Sequence, residues 1–326
     1  MALDADPSAA ISTTQEWAAV RMTGETLDQN LTSTISDEIT TNRSFADSKL
    51  SEGQIVGGFT FEASYKQLGD LLIPALQGAY DMDLGISPAP GNLWATTDTM
   101  ANGSSKQCLM FMKRVLVGTT YWYYTYRGCQ IDSLSLNMEV GSLVTGSVTL
   151  LGIGGAVDSG TAATGPTGNT WTYDTAVYGG SQLMSAVDSI SNFSLTDHTD
   201  ASITATFQSL NLTFSNQMRA QSAVNSAGIY PAGISSGRFM AEISSTIYFQ
   251  NGTLYTQLIN DDLCKLAFDL ADSSGNTFNF DFDKLKPQGG VTPLAGGPDQ
   301  DLLISPTFRA FEDATKGTVT ITRTDA

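Results

Sequence analysis

Between Gly53 and Gly78 the hydrophobic period changes once, and that change limits what the chain can become. Ile55, Phe59, Phe61, Ala63 and Tyr65 fall on one side of an extended segment, with Thr60, Glu62 and Ser64 on the other. Alternation of this kind, carried by aromatic residues, predicts a strand with one buried face. From Leu68 the spacing becomes i, i+3, i+4, i+7, i+8 through Leu71, Leu72, Ala75 and Leu76, which predicts a helix packed by one stripe. Pro74 is expected to kink or end that helix early, and Gly78 to close it. A strand with one polar face running into a short helix must bury its apolar side on something else.

The rest of the chain supplies partners of the same kind. Extended segments are read at Val20–Leu27 and Leu31–Ile39, with a polar loop from Thr41 to Glu52. Gln107–Tyr126 reads as a strand pair turning near Gly118. Cys129–Val140 and Leu143–Leu151 read as a hairpin about Gly141-Ser142. Gly152–Gly180, rich in Gly, Thr and Ala, reads as a linker or surface loop. Beyond it lie extended segments across Asp188–Asn216, a polar stretch Gln217–Ser236, and a second alternating strand, Gly237–Phe249. A short helix, Leu254–Asn260, and further hairpins complete the chain. Both halves follow one order: extended strand, polar loop, alternating strand, helix, hairpins. Setting Gly58-Phe59-Thr60-Phe61-Glu62 against Arg238-Phe239-Met240-Ala241-Glu242 aligns a Phe and a Glu, so an internal repeat is expected. The boundaries expected are an arm at 1–17, a first domain at 18–151, a linker at 152–187 and a second domain at 188–326.

Charge excludes one class of function. The 33 acidic and 16 basic residues give a formal net charge of −17, whereas gripping nucleic acid needs clustered Lys and Arg. No apolar run reaches the roughly 18–20 residues of a membrane span, and no basic and apolar leader opens the sequence, so no signal peptide is expected. Cys108, Cys129 and Cys264 are an odd set without CxxC spacing and read as free thiols; Cys108 and Cys129 flank one hairpin, so a bridge between them stays open.

No reactive constellation assembles. His198 beside Asp197 and Asp200 has no nucleophile motif and reads as a solvated loop residue. Asp81/Asp83, Asp281/Asp283 and Asp299/Asp301 lack the other ligands of a calcium loop. Gly152-Ile153-Gly154-Gly155-Ala156-Val157 lacks the third glycine of a dinucleotide fingerprint. No catalytic residue, metal or cofactor is expected, and the chain is not read as an enzyme. Trp94, Trp122 and Trp171 keep open an alternative, a carbohydrate-binding or adhesive β-sandwich.

Gly24-Glu25-Thr26-Leu27, Ser36–Asp47, and Gly57–Tyr65 with its Leu71-Leu72 helix resemble the N-terminal region of tail tube (major tail) proteins of long-tailed, non-contractile bacteriophages. Gly141–Val148 and Gly237–Phe249 resemble later parts of the same pattern. The resemblance implies a mostly β fold of two tandem tail-tube-type sandwich or half-barrel domains, whose inner strands complete a lumen barrel between subunits. It implies a virion tail protein, assembled in the host cytoplasm into stacked rings. A trimeric ring with pseudo-sixfold symmetry is favoured, with a hexamer as the alternative. The partners implied are further copies, a tape-measure protein, and terminator and distal tail proteins; DNA passes through without specific binding, and no membrane is involved. An acidic lumen repels phosphate. On that logic Thr60, Glu62, Ser64, Glu139, Glu242 and Ser244 are expected to line the lumen. Asn42, Arg43, Asp47, Arg219 and Arg238 are expected at contacts between subunits or rings.

Overall fold

In a computed structural model of the chain, all residues are described except 5, 39–40, 42–43, 46, 81, 83–97, 162, 175–177, 179–181, 225–227 and 294–300. The first strands are β1 (Ala2–Leu3), β2 (Glu16–Ala18), β3 (Gly24–Glu25), β4 (Asp28–Ile35) and β5 (Ser48–Glu62), the last leading into helix α1 (Tyr65–Leu76). After β6 (Thr99–Ala101), a hairpin of β7 (Leu109–Val117) and β8 (Thr120–Glu139) is flanked by β9 (Thr145–Gly152) and β10 (Gly154–Gly160). Next come β11 (Thr172–Asp174), β12 (Ile190–Asp197), β13 (Thr206–Ser215), β14 (Arg219–Gln221), β15 (Gly233–Ser235) and β16 (Met240–Tyr248). Helix α2 (Thr253–Asn260) follows, then β17 (Cys264–Ala271), β18 (Thr277–Gly289), β19 (Leu303–Ile304), β20 (Thr307–Ala310) and β21 (Thr320–Thr324). The fold is mostly β.

Two sets of strands pair in one order. β4–β5–β9–β8 form antiparallel ladders, and so do β13–β16–β20–β18. The first parts of β8 and β18 each swing into a second layer, pairing with β7 and β10 in one case and β17 and β21 in the other. The two hairpins also shift register at matching places, between Leu109 and Phe111 and between Cys264 and Leu266. Between the sets, Ser133–Glu139 of β8 pairs with Ser209–Ser215 of β13. The result is one continuous antiparallel run, β4–β5–β9–β8–β13–β16–β20–β18.

Helix α1 lies under the seam between the sets, against β8 and β13. Its apolar stripe, Leu68, Leu71, Leu72 and Leu76, is fully buried with Leu134, Leu136, Leu212 and Phe214. The Asn216 side-chain amide donates to the carbonyls of Ala75 and Ile131, both at 2.9 Å, tying the end of β13 to α1 and β8. A smaller cluster of Trp17, Tyr123 and Trp171 packs separately, ring centroids 5.4–5.6 Å apart.

Several expectations are corrected. Pro74 does not end α1 early: the helix runs to Leu76, and Gln77, at φ 50°, takes the left-handed closing position expected of Gly78. Pro74 lacks the N–H that would bond four residues back, and α1 runs through it at the loss of that one bond. The polar loop begins to be strand at Ser48, because β4 pairs with Ser48–Glu52 as a hairpin arm. Cys129–Val140 is not a separate strand; β8 runs through it unbroken, turning at Gly128, whose φ of 57° suits glycine. The Gly-rich segment holds β10 and β11, since small residues still pair along β8 and β2. The ladders also set a different register between the alternating strands. Gly57 faces Leu150, which faces Ile131, just as Ile243 faces Phe308 and Pro287, each chain of partners lying immediately before a register shift. Gly57 therefore matches Ile243, and Glu62 matches Tyr248 and not Glu242.

Candidate functional site: a polar sheet face

Directly opposed residues share a face, so the ladders assign every side chain of the long sheet. Phe59, Phe61, Leu134, Leu136, Leu212 and Ile243 point into the core and are buried. The opposite face carries short polar side chains in rows that cross both sets. One row runs Thr60, Ser147, Ser135, Thr213, Glu242, Arg309. The next runs Glu62, Thr145, Asn137, Asn211, Ser244, Thr307. A third holds Glu139, Ser209 and Thr246.

Hydroxyl pairs bond across the strands: Ser135 Oγ with Ser147 Oγ at 2.8 Å, Ser133 Oγ with Thr149 Oγ1 at 2.6 Å, and Thr60 Oγ1 with Thr23 Oγ1 at 2.8 Å. Glu242 lies 3.3 Å from the Arg309 guanidinium. Such a face offers hydroxyls, amides and a few carboxylates, with no group positioned to attack or deprotonate a substrate. Chemically it is a hydrated, weakly interacting surface.

The structure brings Thr60, Glu62, Glu139, Glu242 and Ser244 to this face. Ser64 does not join them. It is fully buried, because the chain leaves the strand at Ala63 and Ser64 becomes the residue preceding α1. Arg309 was missed by sequence reasoning, as were the hydroxyl rows of β8, β9 and β13. Their alternation was visible, but which strands lie side by side was not. Asp47, Arg219 and Arg238 are exposed; Asn42 and Arg43 lie outside the described residues.

Other candidates resolve into ordinary contacts. The Asp197 carboxylate accepts bonds from Thr199 Oγ1 at 2.7 Å and the Ala201 amide at 3.0 Å, which hold its pKa low and shape a turn; they do not orient His198. Asp281 and Asp283 flank Lys316 at 2.9 and 2.7 Å. Those two bonds raise the lysine pKa, Asp283 contributing most. Asp81, Asp83 and Asp299 fall outside the described residues, and among those described no three His, Cys, Asp or Glu side chains gather as a metal site. All three cysteines are free. Trp171 is buried and donates its ring N–H to the Ser12 carbonyl at 2.9 Å, so it is no open stacking platform; Trp94 is outside the described residues. No helix among the described residues is long and apolar enough to cross a membrane.

Fold and site together define a structural protein whose working surfaces are sheet faces and edges. The model of the phage tail tube protein family matches residues 5–310, and the chain belongs to that family. It is therefore a structural, non-enzymatic component of a virion tail. No curated protein matches. Among solved structures, a chain from the virion of a native gene transfer agent particle is similar at 11% identity, over 41% of this chain and 96% of that one. Its TM-score is 0.25.

Proposed function

We propose that three copies close head to tail into a ring of six strand sets, and that rings stack into a tube with the polar face lining its lumen. The observation that carries this reading is the β8·β13 seam, where one chain already joins two like-ordered sets edge to edge. Among the described residues, the open edges at the two ends of the run are β4, on the side away from β5, and residues 286–289 of β18, on the side away from β20. Repeating the seam between chains would close these edges into a barrel, removing the liability of exposed strands. A heterologous contact that closes by rotation gives a ring. Six copies in a ring is the alternative.

In this arrangement DNA would pass a lumen of hydroxyls, amides and carboxylates, with the acidic groups disfavouring phosphate. The β4–β5 arm carries exposed Leu31, Ile35, Phe45 and Leu50, side chains suited to contact with the next ring. The tape-measure protein would occupy the lumen during assembly, with terminator and distal tail proteins at the tube ends. Electron cryomicroscopy of the purified protein, with native mass spectrometry to count copies, tests the reading. Threefold rings with Glu62 and Glu242 facing the channel are expected. Dispersed monomers, or tubes with those residues outside, would overturn it.

A further inference from the structure

The two strand sets differ sharply in one respect. In the second set, Phe278 and Leu270 are opposite one another on the β17–β18 hairpin and both are 0% exposed. Their matches in the first set, counted from the shared register shift, are Trp122 and Val115, also opposite one another. These are 40% and 39% exposed. A matching surface is covered in one half and bare in the other.

The cover on the second set comes from the first. Helix α1 follows β5, yet its Tyr65 ring stacks on Phe278 with centroids 4.5 Å apart. Gly69, a turn further along, faces the same ring, with a methyl there falling 3.2 Å from it. The Tyr65 hydroxyl is held by Arg323 at 3.1 Å and by Asp325. Helix α1 therefore closes the flank of the neighbouring set.

Helix α2 holds the corresponding place after β16, and among the described residues no further strand set lies beside it. It packs on β18, with Leu254 and Gln257 buried. Tyr255 and Ile259, on its other side, are 49% and 65% exposed. The first set in turn offers an open groove of about 450 Å³ with Leu27, Phe59, Phe111 and Tyr126 in its wall. Phe111 and Tyr126 match Leu266 and Phe282 and are buried like them; the exposed apolar surface lies further along the same hairpin at Val115 and Trp122. The eight residues of α2 include no charged side chain, and the Glu25 and Lys113 that share the groove wall are already paired with each other, so the helix brings no unpaired ion to it.

We infer that the Tyr255–Ile259 side of α2 docks into the Leu27–Phe111–Tyr126 groove of a second copy and covers its Trp122, repeating between chains what α1 does within one. The inference rests on the head-to-tail ring proposed above. It predicts that Tyr255→Glu and Ile259→Glu leave the single chain folded, because both residues are exposed there, and cut the assembled fraction at least tenfold by sedimentation velocity. A melting curve matching the wild type checks the fold. Independently, hydrogen exchange on wild-type assemblies should show new protection at Thr253–Asn260 and Phe111–Val117 relative to the monomer. Both variants assembling normally, or rings in which those segments exchange as in the monomer, would overturn the docking while leaving the ring intact. A wild-type chain that forms no rings would overturn both.

Discussion

Gly146 shows how tightly single positions in the sheet are set. It lies opposite Phe61, and a methyl on it would fall 2.4 Å from that buried ring. Gly146→Ala should therefore destabilise the chain by about 1–3 kcal/mol, the usual cost of overpacking, seen as a lower urea midpoint with unchanged slope. Asn216 is a second such position, since truncating it leaves two buried carbonyls without their donor. Asn216→Ala should cost at least as much, roughly 1–3 kcal/mol, and a variant as stable as wild type would show that the tie is replaceable. The thiols give a pH test. Burial pushes Cys264 up to about 12 and raises Cys129 further. A thiol with a raised pKa stays protonated and inert up to that value. In the native chain, reaction of Cys129 and Cys264 with a thiol reagent should stay slow from pH 7 to 9, whereas an ordinary cysteine accelerates across that window. Unfolding should release all three.

At the scale of elements, the local patterns were legible and the adjacencies were not. The alternation through Phe59 and Phe61 and the stripe through Leu71 and Leu72 announced β5 and α1, and the same logic found β16 and α2. Alternation even assigned Thr60, Glu62, Glu139, Glu242 and Ser244 to the non-core side. It failed at Ser64, because period two carries no mark of where a strand stops and a helix begins. The repeat register failed for a related reason: a Phe and a Glu can align by coincidence, while the true match is set by hydrogen-bond partners such as Ile131 and Pro287, distant in sequence. β8 looked like two strands because Arg127-Gly128 reads as a break, although a single left-handed glycine only redirects the strand. Nor could composition reveal that Ser48–Glu52 pairs, since an arm with little buried surface has no hydrophobic pattern to read.

At the scale of the whole molecule, the uneven exposure of the two sets makes Trp122 a reporter. Trp17 and Trp171 are already buried, so with Trp94 replaced by Phe, a blue shift of emission on assembly should come from Trp122 and vanish in Trp122→Phe. No shift during assembly would leave its surface bare. Charge should govern the rate. Chains of net −17 repel one another, so raising salt from about 20 to about 200 mM shortens the screening length several-fold. Assembly followed by light scattering should then quicken; slowing would mean that attractive ion pairs dominate the encounter.

The β8·β13 seam has a kinetic consequence. Each docking of separate molecules costs an estimated 4–15 kcal/mol in lost translational and rotational freedom. A seam within one chain forms on folding, at a local concentration fixed by the connecting residues and independent of how much protein the cell holds. A ring of six sets drawn from three chains would need two bimolecular dockings before it closes, where six separate chains would need five. The order of nucleation in protein concentration would fall accordingly, so that tube growth could start at a copy number where a one-set chain would remain free.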